Sequence, residues 1–134
     1  MRRTVLLIDD RPADIARCQS ALADCEPVAY TLAKAPSMDE GVALIENLRP
    51  DCVLLAHSPG GIAILRRIRA RHPTLPVVML TGAEVEFPQL QDMKTEGLHC
   101  LPKASIAAAT LHAAIERAVL DSTNRDAANV SARD

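Results

Sequence analysis

The chain has 134 residues, about the length of one ordinary domain. Its content of 49% apolar and 24% charged residues excludes a disordered, collagen-like or disulfide-miniprotein class. Fifteen basic and seventeen acidic side chains leave a net charge of −2, which excludes a general nucleic-acid or anionic-membrane binder.

Thr4 to Ile8 (TVLLI) is a short apolar run that ends in Asp9 and Asp10, and it reads as a first strand. It is too short for a secretion signal, and no apolar stretch approaches the ~18 residues that cross a membrane. Pro12 opens a helix to Ala23, with Ile15, Cys18 and Leu22 at helical spacing. Pro27 stops it, and Val28 to Leu32 reads as a weaker strand. Ser37 with Glu40 three residues on forms a capping box. The helix behind it carries Val42, Leu44, Ile45 and Leu48 and stops before Pro50.

Cys52 to Ala56 (CVLLA) is a strand apolar on both faces, followed by a turn from His57 to Gly61. Ile62 to Arg71 reads as a helix with Ile62, Leu65 and Ile68 inward. Its Arg66, Arg67, Arg69 and Arg71 make a solvated face or an anion patch, since guanidinium forks bind phosphate and carboxylate bidentately. Val77 to Leu80 is a fourth strand, ending at Thr81 and Gly82. Phe87 to Thr95 reads as a short helix and Leu98 to Leu101 as a fifth strand, before Pro102 and Lys103. Ser105 is the expected N-cap of an alanine-rich helix with Leu111, Ile115 and Ala118 or Val119 inward. Its surplus alanines form a candidate homodimer or partner face. Residues 1–121 read as one domain and residues 122–134 as a polar tail or linker.

Strands apolar on both faces need cover on both sides. Alternation with helices then predicts an α/β fold: a doubly wound, five-stranded parallel sheet in three αβα layers. With one Tyr, one Phe and no Trp, its core must be aliphatic and no base-stacking platform is available. The cysteines, Cys18, Cys25, Cys52 and Cys100, form no C-x-x-C pair. They read as buried reduced thiols, which suits a cytoplasmic protein.

In such sheets function gathers beyond the carboxyl ends of the strands. Asp9 and Asp10, Ala56 and His57, Thr81, and Lys103 stand there. No G-x-G-x-x-G follows the first strand and no Walker A loop is present, so a dinucleotide or nucleotide-hydrolysing site is not expected.

V-L-L-I-D-D at 5–10, P-D-C-V-L-L at 50–55, P-V-V-M-L-T-G at 76–82 and L-P-K at 101–103 resemble the receiver domain of bacterial two-component response regulators. The resemblance runs from about Val5 to Leu120. It implies a flavodoxin-like strand order and a signalling module, not an enzyme. In that family an acidic pair holds Mg²⁺, an aspartate ending the third strand accepts phosphate, a Thr or Ser senses it and a Lys pairs with it. The matching residues are Asp9 and Asp10 for the metal, Thr81 for the hydroxyl and Lys103 for the lysine.

The pattern breaks at the acceptor, where Ala56 stands. The following loop is about three residues short of the family's, and Cys100 replaces the switch aromatic. His57 is a poor substitute acceptor, and Asp51 lies at the wrong end of its strand. The expectation is a non-phosphorylatable pseudo-receiver. It would need no cofactor and bind Mg²⁺ weakly at most, through Asp9 and Asp10. Its partners would be signalling proteins or an output domain of the same chain, with no nucleic acid or membrane. The other reading is a sensor that binds a nucleotide second messenger or other anion through the arginine-rich helix.

Overall fold

Leu6 and Leu7 are neighbours in sequence, yet they lie on opposite faces of one sheet and each is fully buried. That alternation, repeated along each central strand, organises the molecule. The computed structural model describes residues 2–25, 29–56, 61–81 and 99–133, with the backbone alone at 61–62 and 123–133.

Its elements are β1 (Arg2–Ile8), α1 (Pro12–Ala23), β2 (Ala29–Ala35), α2 (Met38–Leu48), β3 (Cys52–Ala56), α3 (Gly61–Arg71), β4 (Val77–Thr81), β5 (His99–Pro102) and α4 (Ala108–Arg133). The strands form one parallel sheet in the order β2-β1-β3-β4-β5. This is the expected flavodoxin-like topology. Val5, Leu7, Cys52, Leu54, Val78, Leu80 and Leu101 face α1 and α4. Leu6, Ile8, Val53, Leu55, Val77 and Met79 face α2 and α3. Both faces of the sheet are therefore dry, which is why the central strands lack polar alternation.

Most helix faces follow the sequence pattern. Cys18 and Leu22 of α1, Ile45 of α2, Leu65 and Ile68 of α3, and Leu111, Ile115 and Ala118 of α4 are buried. Pro12 occupies the first turn of α1, where its missing N–H costs nothing. The Ser37 side chain accepts from Glu40 N at 3.2 Å and caps α2. Gly41 sits inside α2, where glycine normally weakens a helix. A Cβ there would stand 2.5 Å from Ile8 Cδ1, so the missing side chain lets α2 press onto β1 directly behind Asp9.

Some details differ from the sequence reading. β1 starts at Arg2 and β2 runs on to Ala35, because the two pair in register from Arg2 with Ala29 to Ile8 with Ala35. Ser105 does not cap the last helix. It lies in a 3₁₀ turn over Lys103–Ser105. The helix starts at Ala108, and Thr110 Oγ1 accepts from Ala107 N at 3.0 Å. The backbone of α4 runs on to Arg133. Leu48, placed among the apolar positions of α2, is 41% exposed. The expected turn at His57 and the helix from Phe87 to Thr95 lie outside the described residues, as does Gly82.

Candidate functional site

The strand order reverses direction between β1 and β3, and the crevice beyond their carboxyl ends is where open α/β sheets place ligands. Ile8 is in register with Leu55, so Asp9 and Ala56 come next on adjacent strands. They share a small cavity of about 50 Å³ with Ile8, Asp10, Pro36, Ser37 and Met38. Ala56 pairs with Leu80 on its other side, and Thr81 with Pro102, which brings Lys103 to the same edge.

The two acids differ. Asp9 is buried, with 4% of its surface exposed. Its backbone N–H donates to Ala35 O at 3.1 Å, and its Oδ1 accepts from Arg11 N at 3.0 Å. These bonds fix the turn from β1 into α1. Asp9 Oδ2 is buried and accepts no hydrogen bond among the described residues. Asp10 is on the exposed rim. The acidic pair is therefore a single buried carboxylate with a solvated neighbour.

Lys103 is not primarily a partner of Asp9. Its Nζ donates to Asp14 Oδ2 at 2.7 Å and stands 3.8 Å from Asp9 Oδ2. The second distance is too long for a hydrogen bond but is an ion pair. Sequence reading missed Asp14. Its signal was present: Pro12 starts α1, so Asp14 falls in the first turn, where a carboxylate suits the helix dipole. Cys18 lies behind this cluster. Burial pushes its thiol up to about 11, with Asp9 and Asp14 adding to the effect and Lys103 opposing it. Such a thiol is inert rather than nucleophilic. Thr81 is 4% exposed at the end of β4.

The family that the sequence resembles implies Mg²⁺ at this edge. Mg²⁺ needs near-octahedral oxygens. Here Asp9 Oδ2 is one free buried oxygen, Asp10 is on the rim and Ala56 contributes a methyl group. Among the described residues no group of three or more His, Cys, Asp or Glu side chains is placed to hold a metal. The residues do not fit that site, and the ammonium of Lys103 already stands beside the one free oxygen.

The arginine face of α3 does not converge on an anion site. Arg67 Nη1 lies 3.7 Å from Asp39 and Arg71 Nη2 3.4 Å from Glu46, both on α2. Arg69 donates to Pro73 O at 3.3 Å, and Arg66 is exposed. These contacts lie within the domain, and the anion-sensor reading gains no support. His57 lies outside the described residues. His99 is the first residue of β5, at the opposite edge, with Nε2 at 2.6 Å from Asp121 Oδ2. Asp51 is also at that edge, where it accepts from Thr4 N at 2.7 Å.

A second polar cluster, unforeseen from sequence, ties β1 and β2 to α4. Arg3 meets Glu116 in a fork, with bonds of 2.6 and 3.0 Å, and Tyr30 Oη lies 2.7 Å from His112 Nδ1. The Arg3 hydrogen bond holds the Glu116 carboxyl below its usual range. Burial is the main cause that raises Tyr30 above the usual phenol range.

A family model for the response regulator receiver domain matches residues 5–116. Among solved structures, NtrX from Brucella abortus in complex with ADP superposes with a TM-score of 0.79 at 26% identity, covering 97% of this chain. This chain spans only 29% of that NtrX chain. The separate receiver domain of the same NtrX gives a TM-score of 0.71 at 28% identity, covering 86% of this chain and 97% of that one. The chemotaxis protein CheY4 of Vibrio cholerae gives 0.73 at 22% identity, with coverage of 88% and 99%. No curated protein sequence matches significantly.

Proposed function

The chain belongs to the response regulator receiver domain family of two-component signalling, and from that premise we propose that it is a receiver that takes no phosphate on aspartate. In this reading it is a pseudo-receiver, a regulatory module whose output depends on which protein it binds. Its partners are other signalling proteins or an output domain in the same chain. It has no catalytic residue of its own and works in the cytoplasm of a bacterial cell.

The observation that carries this reading is Ala56. It ends β3 in one small cavity with Asp9 and Asp10. Phosphoryl transfer to a protein needs an oxygen nucleophile, and a methyl group offers none. Asp9, Asp10, Thr81 and Lys103 are then the remnant of an acidic pocket. Lys103 supports this further. Where no carboxylate ends β3, its ammonium pairs with Asp14 of α1 instead. Mg²⁺ binding at Asp9 and Asp10 is weak at most, because charge and ligand number are both reduced.

Among the described residues no helix is long and apolar enough to cross a membrane. The exposed alanines of α4, such as Ala109 and Ala113, suit a homodimer or partner contact because small side chains allow close approach.

Beryllofluoride with Mg²⁺, a mimic of the phosphorylated state, tests the reading by backbone NMR. The amides of Asp9, Asp10, Thr81 and Lys103 should not move beyond the change that Mg²⁺ alone causes. Saturable beryllofluoride shifts at these four positions would overturn it.

A further inference from the structure

At the opposite end of the sheet from Asp9, the chain turns from α2 into β3 and from α3 into β4, and these two strands are neighbours. An open cleft of about 610 Å³ lies between the two turns. Small-molecule sites span roughly 300–1,000 Å³. Ile45 and Pro50 are buried residues of its lining, and Leu75 and Pro76 are half-buried. Val53 N donates to Pro76 O at 2.9 Å and joins the second turn to β3. Pro50 and Pro76 each fix a backbone angle, so the cleft is preformed.

The charged groups of the cleft are not equally occupied. Glu46 meets Arg71 at 3.4 Å and His72 at 3.3 Å, and Asp51 accepts from Thr4 N at 2.7 Å. The exposed side chain of Arg49 makes no hydrogen bond or ion pair among the described residues. Its backbone is left-handed, with φ of 48°. Glycine normally takes that place after a helix, because a Cβ is strained there. A strained arginine whose guanidinium has no partner among the described residues thus stands beside an apolar-walled cleft.

We propose that this cleft binds a small organic acid, its apolar body against Ile45, Pro50 and Leu75 and its carboxylate on Arg49. A guanidinium takes a carboxylate bidentately. Glu46 already holds Arg71, so this site is distinct from an anion patch along α3. The carboxyl ends of α2 and α3 carry partial negative charge. They confine the ligand's anionic group to Arg49 and leave its apolar part for the cleft. The site is remote from Ala56 and stands whether or not the chain takes phosphate.

The competing role for Arg49 is to offset the dipole at the end of α2. Arg49→Gly separates the two roles, because glycine keeps the left-handed turn and removes the guanidinium. Hexanoate, hexanamide and hexylamine share one apolar chain and differ in head-group charge at pH 7. Titrated into the ¹⁵N-labelled chain, hexanoate should give saturable shifts at the amides of Ile45, Arg49 and Leu75, with a Kd of ~1 mM for a ligand this small. Hexanamide should bind at least about fivefold more weakly, and hexylamine should leave these amides unmoved. Arg49→Gly should weaken hexanoate binding by the same factor or more. It should melt no lower than wild type, since relief of the left-handed residue offsets the lost dipole contact.

No saturable hexanoate shift, equal or tighter binding of either other probe, or an unchanged hexanoate affinity in Arg49→Gly would overturn the proposal. So would a melting point of Arg49→Gly several degrees below wild type, which would assign the side chain to the helix end.

Discussion

Replacing Ala56 with aspartate adds a third carboxylate beside Asp9. Neighbouring strands lie roughly 4.8 Å apart, and Ile8 is in register with Leu55, so the new charge stands about 5 Å from the Asp9 carboxylate. At an effective dielectric constant of about 20 this repulsion is about 3 kcal/mol. Lys103 offsets part of it, but its ammonium hydrogen-bonds Asp14 and already serves Asp9. A net loss of about 1–2 kcal/mol without divalent cation is expected.

The sign of the pH dependence follows. Repulsion raises the folded-state pKa of residue 56 above the ordinary value near 3.9. The penalty is therefore complete above the raised value and disappears as pH falls below the ordinary one. Urea unfolding of both proteins at pH 7 and in acid, each with EDTA or Mg²⁺, measures this. Ala56→Asp should be less stable only at neutral pH without Mg²⁺, and Mg²⁺ should restore it. Its phosphorylation should stay poor, because the sequence after residue 56 is short for a loop that must also contribute to the metal, and a 1 Å error can cost about 100-fold. Equal stability of the two proteins in EDTA at pH 7 would refute the electrostatic argument. Rapid, full phosphorylation would refute the loop argument.

Gly41→Ala should gain about 1 kcal/mol of helix propensity but lose about 1–3 kcal/mol to overpacking against Ile8, whose Cδ1 would lie 2.5 Å from the new Cβ. The net effect, about 1 kcal/mol of destabilisation, is read from the urea midpoint; a stabilised variant would contradict the close approach of α2 to β1. Glu116 is held below its usual range chiefly by the hydrogen bond from Arg3, with Tyr30 and His112 also facing it. Its stabilisation, at most about 1 kcal/mol for a partly solvated pair, is complete above the ordinary carboxylate value and is lost as pH falls through the folded one. Glu116→Gln should therefore flatten the acid limb of the stability–pH profile, and an unchanged slope would contradict this. Ser37→Ala removes the acceptor of the Glu40 amide at the start of α2. It should cost about 1 kcal/mol by thermal melt, and no change would mean that the cap contributes nothing.

The fold was legible because the central strands carry their environment in their composition. A run such as Cys52–Ala56 has no polar alternation, so it needs a helix layer on each side, and the sheet has both. Asp9, Ala56, Thr81 and Lys103 were legible as an edge because a parallel sheet aligns all carboxyl ends. Two other features depend on tertiary detail. Asp10 looks equivalent to Asp9 in sequence, yet the turn into α1 buries one and solvates the other. Asp14 meets Lys103 across 89 residues, and no local pattern announces such a pairing. The start of α4 was misread for a local reason. Ser105 and Thr110 both suit a helix start, and the 3₁₀ turn after β5 decides for Thr110. The arginines of α3 left a solvated face and an anion patch both open in sequence, and only the packing shows that Asp39 and Glu46 of the adjacent helix lie beside Arg67 and Arg71.

The most direct test of the central claim is the intact mass of the wild-type chain after incubation with acetyl phosphate and Mg²⁺. With Ala56 at the end of β3, the mass should remain that of the unmodified chain, while an intact receiver treated in parallel gains one acid-labile phosphoryl group. Stoichiometric, acid-labile phosphate on this chain would contradict the account.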